Sequence, residues 1–210
     1  MKKINLLLLA LLVSGSLFAQ NQSGEKVVSL NFGYSFTGGL IKALGDADVT
    51  STDSFGVNSI DVTTLPAISL AFDYGIGEVF SIGAMYSFQS FSGQVNDYTW
   101  VDENFDTRTE SIDFGLTRNN IVLLPRFHYK LDNDKIDLYS GLRLGYLFWG
   151  GEVESTDPNF DDFDAFAGGR PTFGLVPLGG RFYFNDNIGA NFELALGAPY
   201  VASVGAQYRF

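Results

Sequence analysis

The sequence has no cysteine and a single histidine among its 210 residues, and lysine and arginine together number only 13. Without cysteine, the fold cannot rely on disulfide bonds, even in an oxidising compartment. With 24 acidic residues the formal net charge is −11, which argues against a nucleic-acid partner, because nucleic acids select basic surfaces. Charged residues make up 18% of the chain, below the roughly 25% of average soluble domains.

No apolar run is long enough to cross a bilayer as a helix, which takes about 20 residues. The longest run, Leu6–Val13, follows Lys2 and Lys3 and precedes small residues up to Ala19. A basic start, a short apolar stretch and a small residue at the cut are typical of a secretory signal peptide. The sequence therefore predicts a signal peptide at 1–19 and one domain at 20–210. No cysteine follows the cut, which excludes a lipoprotein anchor.

A sustained helical period is also missing from the rest of the chain. Apolar and polar residues instead alternate with a period of two, the pattern of β-strands with two different faces. About eight segments alternate in this way, each near the ~9–11 residues that a tilted strand needs to cross a membrane. These segments are residues 28–36, 67–74, 80–88, 121–130, 138–148, 172–184, 188–196 and 202–210.

The connections between these segments alternate in length. Long ones lie at 37–65, 92–117 and 150–171, and short ones lie at 75–78, 131–135 and 185–187. The short connections contain Gly, Asn and Asp, which tolerate the positive φ of tight hairpins. Long loops at one end and tight turns at the other are typical of an outer-membrane barrel.

Strands with alternating apolar and polar residues occur in three architectures: a soluble β-sandwich, a lipocalin-type barrel and a membrane barrel. The composition of the polar face distinguishes between them. This face is mostly Gly, Ser and Ala, which suit a narrow barrel interior. A lipocalin-type barrel would have to hold the large residues inside, and they would overfill it. The sequence therefore predicts an all-β fold, a closed antiparallel transmembrane β-barrel of about eight strands with up-and-down topology. A sandwich with ordinary core aromatics is the remaining alternative.

Register is hardest to read near two prolines. Pro125 and Pro177 cannot donate to a β-ladder, so we expect a β-bulge near each. In the segment 172–184, the sequence pattern allows either the even-numbered or the odd-numbered residues to face the lumen. Placing Arg181 inward sends outward Val176, Leu178, Phe182 and Phe184.

The chain ends in Tyr208-Arg209-Phe210, a terminal aromatic with another aromatic two residues before it. With this ending and the runs 118–127 and 139–146, the chain resembles the small outer-membrane β-barrel family of the OmpA-transmembrane-domain and OmpX type. The resemblance covers essentially the whole chain after the signal peptide. It implies a place in the outer membrane, Tyr208 and Phe210 as the assembly signal, and no cofactor. The implied partners are outer-membrane lipid, the outer-membrane assembly machinery and periplasmic chaperones.

Six charged residues fall on the inward face of the predicted strands. They are Asp73, Arg126, Arg143, Arg181, Glu193 and Arg209. Unpaired charges in a narrow lumen would be costly, so we expect them to pair, with Glu193 bonded to Arg143 or Arg181. Such a network either fills the barrel or gates ions. We favour the first interpretation, because about eight strands leave room for side chains and not for a channel.

Candidate chemistry outside this network is sparse. His128 precedes a short turn, so it should face inward at the periplasmic end, and no Gly-x-Ser-x-Gly, phosphate-loop or paired-histidine motif occurs. We therefore expect no enzyme. Asp157, Asn159 and Asp161 imitate the start of a calcium loop. The positions that need Gly and Glu hold Asp162 and Gly168 instead, so we expect no metal site.

The sequence thus favours an outer-membrane barrel with a structural or interaction role and acidic, aromatic extracellular loops. Phe160, Phe163 and Phe166 either form a partner-binding tip or pack their loop on the rim, and the loop partner is unknown. The alternative function is a narrow porin or a conduit for small solutes.

Overall fold

Period-two alternation becomes nine strands and one helix in the computed structural model, which describes residues 23–45, 59–101, 107–129, 131, 133–155 and 163–210. The strands are β1 (Lys26–Tyr34), β2 (Ser59–Thr64), β3 (Ala67–Gly75), β4 (Phe80–Val101), β5 (Thr107–Tyr129), β6 (Ile136–Ser155), β7 (Phe163–Tyr183), β8 (Ile188–Gly197) and β9 (Ala202–Arg209). The helix α1 spans Phe36–Gly45. In the described part of the chain, no helix has the length and hydropathy to cross a membrane. The predicted signal peptide lies outside the described residues.

Eight of the strands close into an antiparallel ring in the order β1-β3-β4-β5-β6-β7-β8-β9, with β9 pairing back onto β1. This confirms the predicted closed barrel and its up-and-down topology. The remaining strand, β2, lies outside the ring and pairs with β4 beyond β3, so that Ser59–Thr64 face 91–96. It falls inside the long connection predicted at 37–65. β4 extends well past the start of β3, and β2 pairs with the edge that would otherwise be free.

Four neighbouring strands are about twice as long as the others. β4, β5, β6 and β7 contain 22, 23, 20 and 21 residues, whereas the other ring strands contain 8 to 10. Residues 92–101, 107–117, 150–155 and 163–172 therefore continue the ladder beyond the short strands, and we call them the extension. The predicted long loops at 92–117 and 150–171 are wrong in this respect, because most of their residues are strand.

The ring places large apolar side chains outside and small or polar ones inside. Along β3, burial alternates strictly from Ala67 to Gly75. The outward set includes Leu30, Phe32, Leu70, Phe72, Tyr86, Ile121, Leu123, Phe127, Leu144, Phe173, Leu194, Leu196 and Val204. Such an exterior is unfavourable in water and suited to lipid, and a closed ladder leaves no backbone edge unpaired in the bilayer.

The two prolines behave differently. At Pro177 the register shifts against both neighbours, between Leu175 and Leu178 on the β8 side, so a bulge forms as predicted. The bulge turns Val176 into the lumen, where it is 1% exposed, so its predicted outward direction is wrong. At Pro125 no bulge forms. Two residues of β5 drop out of the ladder to β6, and the register continues unchanged at Arg126, which accommodates the missing donor.

Candidate functional site in the barrel lumen

Charged side chains converge inside the barrel from five strands. Their inward direction follows from strand parity, and room for them comes from glycine on the facing strand. Asp73 faces Gly83, Arg126 faces Gly141, Arg143 faces Gly174 and Glu193 faces Gly179. A Cβ on Gly141 would lie 3.1 Å from the Arg126 Cγ atom, and one on Gly174 would lie 3.3 Å from the Arg143 Cβ atom. These glycines therefore leave the space that the charged side chains occupy.

We name the two ends of the barrel by the expected orientation, with the short turns 75–78, 131–135 and 185–187 at the periplasmic end. Glu193 is the acceptor at the centre of the extracellular half of this cluster. Arg126 Nη2 and Arg143 Nη2 each donate to its carboxylate at 2.5 Å. The Tyr139 hydroxyl donates to the same carboxylate at 2.8 Å, and the Tyr200 hydroxyl donates at 3.4 Å. Glu193 is therefore bonded on both oxygens, which is the condition under which a buried charge is tolerated.

Asp73 continues the cluster toward the periplasmic end. It accepts from Arg126 Nη1 and, at 2.8 Å, from Arg181 Nη2. Arg181 in turn donates to Asp137 at 3.4 Å. The ring of Tyr139 lies between the two arginines, with its centroid 4.8 Å from Arg126 Cζ and 5.1 Å from Arg181 Cζ. Both distances are typical of cation–π contacts.

Together these contacts form one connected chain of alternating charge, which we call the lumen network. In order it comprises Arg143, Glu193, Arg126, Asp73, Arg181 and Asp137. The structure thus brings together five of the six residues selected from the sequence. Glu193 contacts Arg143, one of its two expected partners, and it also contacts Arg126, but it does not contact Arg181. Arg181 faces Asn191 across the β7–β8 ladder and so lies two positions nearer the periplasm than Glu193.

Arg209 is the sixth selected residue, and it lies apart from the lumen network. Its side chain is 24% exposed, and its nearest carboxylate, on Glu25, is 4.0 Å away. Its guanidinium lies 3.9 Å from the ring centroid of Tyr183 and donates to the carbonyl of Asp186 at 2.9 Å. Because β9 ends at this residue, Arg209 covers the periplasmic mouth and does not reach the charges inside.

Sequence reasoning missed Asp137 as a network member, although parity contained the information. If the apolar Leu138 faces lipid, its chain neighbours Asp137 and Tyr139 both face the lumen, because side chains alternate along a strand. A glycine on the facing strand marks four of the six network positions, but Asp137 and Arg181 face each other and lack this signal.

A further chain of hydrogen bonds runs from Asp137 to His128 and Ser81. His128 Nδ1 lies 2.9 Å from Asp137 Oδ1, and His128 Nε2 lies 2.7 Å from Ser81 Oγ. The order Ser-His-Asp is that of a hydrolase triad. Ser81, however, is only 1% exposed, and Asp137 also bonds Arg181. His128 faces inward near the 131–135 turn, and its location at the periplasmic side stays a prediction.

The extracellular mouth is covered by the short connection between β8 and β9, residues 198–201, which we call the lid. Tyr200 is buried, and a Cβ on Gly33 would lie 2.5 Å from its ring, so Gly33 provides the space for it. Arg143 donates to the Tyr200 carbonyl at 2.9 Å and lies 4.1 Å from its ring centroid. Arg118 donates to the Pro199 carbonyl. Lumen side chains therefore hold the lid in place.

Two further sets of predicted residues lie elsewhere. Tyr208 and Phe210 are exposed on the outside at the periplasmic end, with ring centroids 5.9 Å apart. Asp157, Asn159 and Asp161 lie outside the described residues. Among the residues that the structure does describe, no group of three or more His, Cys, Asp or Glu side chains is arranged to hold a metal ion.

Comparison with known proteins supports the architecture. No family model and no curated protein matches the sequence. The outer membrane protein OprG from Pseudomonas aeruginosa aligns with a TM-score of 0.50 at 10% identity, covering 91% of this chain and 99% of that one. The N-terminal β-barrel domain of P. aeruginosa OprF gives 0.47 at 10% identity over 90% and 99%. Ail, the attachment invasion locus protein of Yersinia pestis, gives 0.46 at 12% identity over 90% and 100%.

The likeness to OprG, at 10% identity and a TM-score of 0.50, concerns the fold alone. The apolar exterior of the ring is the independent observation, because it requires lipid around the barrel. Fold and exterior together make the chain a small integral β-barrel protein of the outer membrane.

Proposed function

We propose that this barrel is a closed, non-enzymatic scaffold whose role is structural or interactive. The observation that carries the proposal is the filled lumen. Three arginines and three carboxylates bond one another across it, and the lid and the Tyr183–Arg209 stack cover its two ends. In a barrel of eight strands, side chains of this size leave no continuous aqueous path.

The extension is the part of the barrel that this scaffold presents outside the cell. On its outer face, Asp113 lies opposite Glu154, and Glu152 lies opposite Gly115. With Ser92 and Gln94 they line a shallow groove of about 440 Å³. Like charges directly opposite each other are unfavourable, and they are tolerated only in contact with water or a cationic partner. We therefore assign the interaction role to this acidic face and not to the apolar belt.

Single-channel conductance in a planar bilayer tests the closed lumen. The refolded native barrel should show no regular conductance steps at moderate voltage. A Tyr200→Gly variant, which removes the lid side chain and leaves the ring intact, serves as the positive comparison. Regular steps from the native protein, of the same size as those from Tyr200→Gly, would overturn the closed-scaffold proposal.

A narrow conduit is the second candidate, and one observation favours it. Buried polar atoms on the β1 and β9 side of the lumen lack protein partners within the described residues, namely both amide atoms of Gln207 and the Asn31 Oδ1 atom. Buried polar groups without protein partners normally bind water. A hydrated strip along this wall would become a path if the lid moved, and the conductance measurement above decides between the two functions.

A further inference from the structure

A cavity of about 350 Å³ lies in the barrel wall between the end of β1 and the junction of β2 with β3. Its outer rim is apolar and exposed, formed by Phe32, Tyr34 and Leu65. Its inner end is polar and buried, formed by Ser35 and Gln89. Ligand pockets in proteins begin at about 300 Å³, so the cavity is large enough to hold part of a small ligand. It leads from the apolar exterior to hydrogen-bonding groups inside the wall.

The cavity exists because the ladder is interrupted there. β1 pairs with β3 only as far as Gly33, opposite Ala67, and β2 pairs with β4 but not with β1. Pro66, which has no N–H group, separates β2 from β3. The helix α1 covers the gap with Gly38 and Gly39. A Cβ on Gly39 would lie 2.5 Å from the Tyr34 hydroxyl, so a larger residue there would fill the space.

A buried arginine stands directly behind the polar end of the cavity. Gln89 Oε1 accepts a hydrogen bond from Ser35 Oγ at 2.8 Å and another from Arg118 Nη2 at 2.5 Å. Arg118 is 3% exposed, and its other partners are the Thr37 hydroxyl, the Pro199 carbonyl and the Trp149 ring, whose centroid lies 5.9 Å from Arg118 Cζ; all three are neutral. Its Nε atom has no partner among the described residues.

Arg118 differs in this respect from the arginines of the lumen network. Arg126, Arg143 and Arg181 each contact at least one carboxylate, whereas Arg118 forms no ion pair with any residue that the structure describes. Buried charges are normally paired, because an isolated charge is costly to remove from water. Behind Gln89, the polar end of the cavity therefore has a cation that lacks an anionic partner among the described residues.

We propose that this cavity binds a single-chain amphiphile with a carboxylate head, that is, a long-chain fatty acid taken from the outer leaflet. The chain lies between Phe32, Tyr34 and Leu65, and the carboxylate lies at Ser35 and Gln89, where it supplies the negative charge that Arg118 lacks. A carboxylate carries the single negative charge required, and it accepts from the second N–H of the Gln89 amide, whose first N–H donates to the Leu65 carbonyl at 3.0 Å. The proposal does not depend on whether the lumen conducts.

Displacement of a fluorescent fatty acid tests the site. The barrel is placed in phosphatidylcholine nanodiscs with cis-parinaric acid, and oleate and oleyl alcohol compete for binding at mildly alkaline pH. Oleate should displace the probe from the native protein at about tenfold lower concentration than the alcohol, because a hydrogen bond to a charged group is lost with the alcohol. Arg118→Gln should remove this preference. Arg170→Gln, a matched loss of an exposed arginine on β7, should retain it.

A second variant covers the case in which Arg118→Gln fails to fold, which heat-modifiable gel mobility will show. Leu65→Glu places a carboxylate at the rim of the cavity and should abolish displacement by oleate. Leu196→Glu makes the same change at an exposed apolar position on β8 and should leave it intact. Equal competition by oleate and oleyl alcohol in the native protein would overturn the proposal, as would equal behaviour of the Leu65 and Leu196 variants.

Discussion

Replacing Glu193 with glutamine removes one negative charge from the lumen network and preserves the shape of the side chain. The two arginines that bond Glu193 are affected unequally. Arg126 keeps Asp73 as a second carboxylate partner. Arg143 keeps only the Tyr200 carbonyl and ring among the described residues, and so becomes a buried cation without an anion. The cost of the substitution therefore falls mainly on Arg143.

The size of the effect follows from this loss. Removing one partner of a buried ion pair typically costs about 3–5 kcal/mol, because the other charge stays desolvated. We expect Glu193→Gln to lower the free energy of unfolding by about this amount, measured by denaturant titration of the refolded barrel with an unchanged slope. Glu152→Gln, a matched change on the exposed outer face of the extension, should shift it by no more than about 0.5 kcal/mol.

A double-mutant cycle then identifies the partner. Arg143→Met removes the stranded charge, so adding it to Glu193→Gln should restore part of the stability. Arg181→Gln should couple less strongly to Glu193→Gln, because Arg181 bonds Asp73 and Asp137. A loss in Glu193→Gln no greater than in Glu152→Gln would refute the reasoning, and so would strict additivity with Arg143→Met.

Three further predictions concern other parts of the barrel. Deleting Phe210 should lower the amount of barrel assembled in cells, whereas refolding in detergent should stay near normal. Equal losses in both assays would show that Phe210 acts only by packing and not as an assembly signal. Ser81 should resist a fluorophosphonate probe in the folded protein, because it is buried, and labelling would contradict the non-enzymatic proposal. Gly141→Val should destabilise the barrel by about 1–3 kcal/mol, measured by denaturant titration, because a Cβ there would lie 2.6 Å from the Pro125 carbonyl oxygen. Gly77→Ala, where a Cβ would meet open space, should have little effect.

Sequence reasoning predicts the membrane-spanning part of the fold well, because one face of each strand must be apolar there. The same reasoning failed for the extension. Above the belt, the outward positions of β5 and β6 carry Asp113, Glu152 and Glu154, so apolar and polar residues no longer alternate although the backbone is still strand. The pattern reports contact with lipid, and where that contact ends it no longer distinguishes strand from loop.

Parity alone also predicts which charges face the lumen, but it does not predict their partners. Arg181 bonds Asp73 across the lumen, from a strand that is not its neighbour, at a sequence separation of 108 residues. That pairing depends on the tilt and stagger of the whole ring, which no single segment encodes. Arg209 shows the same limit of sequence reasoning. It falls on the inward face of its strand, which predicts it in the network, but its position at the end of β9 keeps it away from the charges inside.

The lumen network connects strands that the β-ladder cannot connect. Backbone hydrogen bonds join only neighbouring strands, and lipid offers the outer side chains an environment as apolar as a protein core, so the exterior favours no particular arrangement of the ring. Asp73 on β3 is bonded from β5 and β7, and Glu193 on β8 is bonded from β5 and β6. These contacts form together only when all five strands have one relative stagger. We therefore expect the network to specify the register of the closed barrel as well as to fill it.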